Sequence, residues 1–131
     1  MNPFLVDTNV ISEMFKRVKH PSVIAWIEKQ ESLTLSVITI DEIFYGLHAI
    51  SAWNHIHWFK TFLELKATVI NVDMKTAEYA GALRGEFRKK GVQRTQADLL
   101  IAATAYFLNL TIVTRNEKDF FECKVPIYNP F

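Results

Sequence analysis

Short apolar runs alternate along this chain with longer stretches in which apolar residues recur every three or four positions. Phe4-Leu5-Val6 is the first run, and it ends on a carboxylate, Asp7. Such a run predicts a buried strand with Asp7 at its end. Val10, Ile11, Met14 and Val18 stand at helical spacing and predict a short helix over residues 10–19. Pro21 suits a first helical turn, and Val23, Ile24, Trp26 and Ile27 give that helix an apolar face. Residues 33–38 predict a second strand. Ile40, Ile43, Phe44 and Leu47 then recur at i, i+3, i+4 and i+7, a helix with one buried face. A further helix is expected over 51–65 and a strand over 68–72. Asp73 should cap a helix over 74–90 that stops at Gly91. Residues 96–108 are apolar almost all round and predict a deeply buried helix ending at Asn109. Strands over 111–114 and 125–128 complete the pattern. Strands alternating with helices imply a parallel sheet covered on both faces, joined by right-handed crossovers.

Length and composition narrow this further. A chain of 131 residues is expected to be a single domain, 1–131, with a core that needs no staples. The single cysteine, Cys123, allows no disulfide within the chain and suits a reducing compartment, so a cytoplasmic location is expected. No membrane span or signal peptide is expected, because no apolar run is long enough and Pro3 and Asp7 interrupt the start. The formal net charge of +1 gives no global field, so any nucleic-acid footprint has to be local.

In an open parallel sheet, chemistry collects outside the carboxyl ends of the strands. Asp7 stands at one such end, and Glu42, Asp98 and Asp119 stand at or near others. Three of the four have an ordinary explanation. Asp7 or Asn9 could cap the following helix, and Thr39-x-x-Glu42 and Thr95-x-x-Asp98 both fit a capping box. Together, however, four clustered carboxylates repel one another unless a cation compensates. Oxygen-only donors suit a hard ion such as Mg²⁺ or Mn²⁺. The absence of CxxC and HExxH argues against zinc, and no GxGxxG or Walker motif points to a nucleotide cofactor. A carboxylate-held metal commonly activates water against a phosphodiester.

Four segments carry a resemblance. Residues 4–13 (FLVDTNVISE) resemble the opening of PIN-domain proteins, particularly VapC-type ribonuclease toxins. Residues 36–46 (SVITIDEIFYG), 98–105 (DLLIAATA), and 114–120 (TRNEKDF) with 128–131 (YNPF) are similar to the later motifs of that family, in order and at its spacing. The resemblance implies a three-layer α/β/α fold with a central, mostly parallel sheet, and metal-dependent RNA cleavage by an endoribonuclease. It places the acidic site on Asp7, Glu42, Asp98 and Asp119, with Asp7 and Asp98 as metal ligands and Mg²⁺ or Mn²⁺ as cofactor. Thr8 and Asn116 are expected as auxiliary groups, and either Asn116 or Asp119 could complete the acidic set. It also implies a homodimer and a cognate antitoxin protein as partner.

Arg84, Arg88, Lys89, Lys90 and Arg94 crowd the approach to Asp98, and Arg115 follows the fourth strand; all are candidates for RNA phosphate contacts. Cations also suit helix ends in their own right. His55 and His57 are two apart and face different ways on a helix, which argues against ligation. Trp53, Trp58, Phe59 and Phe62 fit either core packing or a protein interface. Two other functions compete with the endoribonuclease. A haloacid-dehalogenase-type phosphatase needs a second Asp two residues after the first, where Asn9 stands. A non-catalytic binding module of the same fold would have no reason to keep four clustered acids.

Overall fold

A computed structural model describes residues 3–131; Met1 and Asn2, the start of the expected 1–131 domain, lie outside the described residues. The chain runs β1 (Phe4–Val6), α1 (Thr8–Ser12), a 3₁₀ turn (Glu13–Phe15), α2 (Pro21–Lys29), β2 (Leu33–Ser36), α3 (Val37–Ala49), α4 (Trp53–Lys66), β3 (Ala67–Ile70), α5 (Met74–Lys89), α6 (Gln96–Leu108), β4 (Thr111–Val113), a second 3₁₀ turn (Glu117–Phe120) and β5 (Ile127–Tyr128). The strands form a single sheet of order β3-β2-β1-β4-β5 in which every pairing is parallel.

Side-chain alternation along the central strands separates two cores. Leu5 and Ile112 face a cluster with α5, α6 and Phe120, while Val6 and Val113 face a cluster with α1 to α4. The result is a three-layer α/β/α arrangement. Helix α6 is buried at Leu99, Ile101, Ala102, Ala103 and Ala105, as its apolar circumference predicts. Its neighbour α5 ends at a Schellman motif: Val92 N–H bonds the Phe87 carbonyl and Gly91 N–H the Arg88 carbonyl. Gly91 takes φ +76°, where a Cβ would be strained.

Several element boundaries differ from the sequence reading: β3 ends at Ile70 rather than 72, β5 begins at Ile127 rather than 125, α4 begins at Trp53 rather than 51, and two further differences have a visible local cause. The helix expected over 10–19 starts earlier, at Thr8, and tightens into the 3₁₀ turn by Phe15. Lys16 is extended, and Val18 is 84% exposed rather than part of an apolar face. The cause is Glu13, whose buried carboxylate accepts the His20 N–H at 2.8 Å and folds residues 16–19 back across it. The strand expected over 33–38 stops at Ser36, whose hydroxyl accepts the Ile38 N–H at 3.1 Å and caps α3.

The chain fills the sheet outward from β1 to β3, then returns to the other side of β1 with β4. The strand order therefore reverses between β1 and β4, and a crevice opens beyond their carboxyl ends. Val6 pairs with Val113, so the next residues, Asp7 and Thr114, sit side by side at its floor.

Candidate active site

Asp7 is 4% exposed and every oxygen on it is engaged. Oδ1 accepts the Thr8 N–H at 2.8 Å, and Oδ2 accepts the Thr114 hydroxyl at 2.8 Å and the Asn9 amide at 3.0 Å. The capping role is thus real, since Asp7 is the N-cap of α1. It does not exhaust the residue. A carboxylate has about four lone-pair positions, and three donors leave one open, on Oδ1. Asn9 fixes the assembly by accepting the Arg115 N–H at 3.1 Å and lying 3.2 Å from Thr114 Oγ1.

Glu42 reaches the pocket from the second turn of α3. The capping box expected at Thr39-x-x-Glu42 does not form, because Ser36 is the cap and Glu42 lies six residues past it. Instead the Thr8 hydroxyl donates to Glu42 Oε1 at 2.6 Å. Thr8 Oγ1 also lies 3.2 Å from the buried Thr39 Oγ1. With its only hydrogen on Glu42, Thr8 can accept from Thr39. Thr8 therefore orients the carboxylate of Glu42.

At Thr95-x-x-Asp98 the threonine half of the box is found: Thr95 is the N-cap of α6 and its hydroxyl accepts the Asp98 N–H at 3.1 Å. Asp119 arrives on the second 3₁₀ turn, whose first N–H bond runs from Asp119 to the Asn116 carbonyl. Asn116 bonds through its own N–H to Thr114 Oγ1. Asp7, Thr8, Glu42, Asp98, Arg115, Asn116 and Asp119 all line one pocket of about 350 Å³. Asn9, Ser12 and Lys16 complete its wall.

The electrostatics follow from this crowding. Burial raises the Asp7 pKa from its ordinary 3.8 to about 6; the Thr114 and Thr8 hydrogen bonds oppose the rise, and the charges of Asp98 and Glu42 add to it. Asp98 is also raised, by burial first, then by Asp119 and Glu42, against the Thr95 hydrogen bond and Arg94. Among the described residues the ion pairs join Glu13 to Lys16, Glu86 to Lys89 and Glu122 to Lys90, so no cation is paired with any of the four pocket acids.

The remaining candidates divide. Arg84, Arg88 and Arg94 line a separate groove of about 670 Å³ with Val92, Gln93 and Thr95, beside the start of α6. Arg94 is held there by stacking, its guanidinium carbon 4.9 Å from the Phe87 ring centroid. Lys89 lies outside that groove and turns to Glu86 at 3.6 Å; Lys90 turns to Glu122 at 3.8 Å. His48 packs on Phe44 and Trp53 and His55 on Phe15, away from the acidic pocket. Phe59 is fully buried, whereas Trp53 and Trp58 are 61% and 47% exposed, so the aromatic segment is core on one side and surface on the other. Lys16 carried no signal in the sequence and reaches the pocket through the turn at Glu13, whereas Ser12 and Thr114 lie in the family-like segments 4–13 and 114–120 with no role assigned to them; Ser12 lines the pocket from α1 and the fully buried Thr114 lies behind Asp7.

An all-parallel α/β/α sheet with carboxylates gathered at its switch point defines a recognisable class. The PIN domain family model matches residues 4–124, and the chain belongs to the PIN domain family. Within that family it is VapC-like. It is 33% identical over 135 residues to VapC ribonuclease Y4jK of Sinorhizobium fredii, covering 97% of this chain and 96% of that protein. It is 31% identical to Toxin FitB of Neisseria gonorrhoeae, covering 97% of each. Among solved structures, FitAcB from Neisseria gonorrhoeae superposes with a TM-score of 0.84 at 31% identity, over 97% of each chain. VapBC2 from Rickettsia felis, bound to a DNA fragment from its promoter, superposes with a TM-score of 0.81 at 27% identity, over 96% of this chain and 97% of that one.

Proposed function

We propose that this chain is a Mg²⁺- or Mn²⁺-dependent endoribonuclease and the toxin of a toxin–antitoxin pair. The observation that carries the reading is Asp7: a buried carboxylate held by three donors, with one lone-pair position open and no cation paired to it or to its acidic neighbours. The naming of relatives as VapC ribonucleases and a toxin, and of similar structures as toxin–antitoxin complexes, supports the same reading.

The residues fit a hard divalent ion. The donors are all oxygens, and burial plus mutual repulsion leaves Asp7 and Asp98 short of positive charge. Among the described residues no three acidic, imidazole or thiol groups close on a single point. That suits an ion which keeps several waters and binds through one or two carboxylates. Asp7 and Asp98 would hold it. When bound, it supplies a water of lowered pKa and offsets charge developing on the phosphoryl group. Glu42, oriented by Thr8, and Asp119 then accept hydrogen bonds from waters in the pocket, with Asn116 as a neutral neighbour. Arg84, Arg88 and Arg94 offer positive charge for the RNA backbone beside Asp98, and Lys89 contributes only long-range attraction.

The phosphatase alternative loses its second acid/base group, since Asn9 spends its amide on Asp7. A non-catalytic module gives no reason for an uncompensated acidic pocket. The reading extends to a homodimer acting in the cytoplasm with a cognate antitoxin protein; exposed Tyr45, Ile50, Trp53 and Trp58 supply apolar surface for protein contacts. Among the described residues no helix is long and apolar enough to cross a membrane. The test is incubation of purified protein with RNA in Mn²⁺ and in EDTA, with Asp98→Asn beside it. Cleavage only by the wild type and only with metal is expected; equal cleavage in EDTA, or none by the wild type, would refute the proposal.

A further inference from the structure

An acidic pocket repels a polyanion, so a strand brought over it needs cations at the rim. Two cations line the pocket, Lys16 and Arg115, and both are anchored from behind. Lys16 Nζ is 2.9 Å from Glu13 Oε2; the lysine side chain is 51% exposed while that of Glu13 is 4% exposed. Burying a carboxylate to steer an exposed lysine is a costly arrangement that solvent exposure alone would not require. Its burial is offset by Lys16 and by the His20 N–H at the start of α2. Arg115 lies with its guanidinium carbon 4.8 Å from the Phe131 ring centroid, a contact that uses none of its N–H donors.

The two anchors also meet. The His20 ring packs edge-on against Phe131 at 5.3 Å, and Ser22 Oγ donates to the Pro130 carbonyl at 2.7 Å. Since that hydroxyl has one hydrogen, the 3.0 Å contact between Ser22 Oγ and His20 Nδ1 places the proton on Nδ1. A continuous path, Lys16–Glu13–His20–Phe131–Arg115, therefore joins the two cations. By contrast, Lys89 and Lys90 pair at 3.6 and 3.8 Å with exposed acids, an arrangement that fixes little.

Resting on the ribonuclease reading, we propose that Lys16 and Arg115 form a paired phosphate clamp across the pocket mouth, with Glu13 and Phe131 as the residues that position them. The ammonium of Lys16 is ion-paired with Glu13 at 2.9 Å and half-exposed, so its N–H donors can turn to phosphate oxygens. Arg115 offers a fork suited to the same oxygens.

The test measures binding of a fluorescently labelled, mixed-sequence single-stranded RNA with Ca²⁺ in place of Mn²⁺, over a salt series, beside steady-state cleavage in Mn²⁺. Lys16→Ala and Arg115→Ala should each raise Kd about tenfold and reduce the slope of log K against log salt by about 0.7. KM should rise in step while kcat holds; Tm should hold in Arg115→Ala and fall in Lys16→Ala, which leaves the buried Glu13 carboxylate without its cation, and Lys16→Arg should restore both binding and Tm. Glu13→Gln keeps an acceptor for His20 N–H but loses the charged tether, so its Kd should fall between wild type and Lys16→Ala. Phe131→Leu should weaken binding about two- to threefold. Unchanged Kd and salt slope in both alanine variants of a wild type that cleaves RNA would overturn the clamp alone. Failure of Lys16→Arg to restore binding would also overturn it. Binding with these dependences but no cleavage would support the clamp and sink the ribonuclease reading.

Discussion

Two stretches carry the same local pattern, a threonine followed three residues later by an acid, and the fold uses them differently. Thr95 caps α6, and Asp98 sits in the first turn with its N–H on the threonine hydroxyl. Thr39 is already inside α3, because Ser36 takes the cap, and Glu42 projects from the next turn toward Thr8 of another element. Asp98 is therefore positioned by its own helix and Glu42 by a tertiary hydrogen bond. A threonine cap satisfies a backbone donor while the acid beside it serves a site; the pattern alone does not say which helix turn it occupies.

The difference can be broken by substitution. Asp98→Asn should take RNA cleavage below detection while the melt shows a folded protein, because Thr95 still caps the backbone and the amide relieves repulsion with Asp119 and Glu42. Wild-type activity in this variant would remove Asp98 from the site. Glu42→Gln should fall about tenfold to a hundredfold in rate with little change in Tm, since glutamine still accepts from Thr8. A stable variant cleaving at the wild-type rate would show that the charge of Glu42 has no role.

The two threonines should separate function from stability. Thr8→Val removes the donor to Glu42 and should cost about tenfold in rate with a small change in Tm. Thr95→Val removes a helix cap and should cost about 1 kcal/mol of stability, with the cleavage rate nearly held. Equal effects of the two on both readouts would erase the comparison.

A smaller effect concerns pH. Asp7 is raised to about 6 in the folded protein from an ordinary 3.8, so the metal-free native state binds its proton more tightly than the unfolded chain. Stability should then rise as pH falls, by about 1 kcal/mol between pH 7 and 5 from Asp7, and Asp98 acts in the same direction. Glu13 and Asp73 are lowered and act oppositely, but only below their ordinary values of 4.5 and 3.8. Asp7→Asn should flatten this rise in urea melts run in EDTA; an unchanged slope would contradict the assignment.

Much of the architecture was legible because local chemistry and tertiary packing agree. Helix α6 has the expected bounds because Thr95 and Asn109 punctuate an apolar run, and α5 ends where Gly91 permits its turn. The acids were legible as residue types placed near strand ends. What the sequence hid was relational. The Thr114–Asp7 hydrogen bond spans 107 positions and depends on the β1–β4 register. Lys16 was hidden by a helical pattern at Val18 that gave way to the buried Glu13. Ser36 was hidden because Val37 and Ile38 suit a strand as well as a helix.

The central claim is that Asp7 belongs to a pocket completed by a divalent cation. The direct measurement is thermal melting of wild type and Asp7→Asn, each in EDTA and in Mn²⁺. At about a hundredfold excess over Kd, Mn²⁺ should stabilise the wild type by about 2.7 kcal/mol. Asp7→Asn should respond far less. It should also melt near the EDTA wild type, because relief of buried charge is offset by an amide N–H set against the Thr8 or Thr114 donors. An equal Mn²⁺ shift in both proteins would place the cation elsewhere and contradict the account.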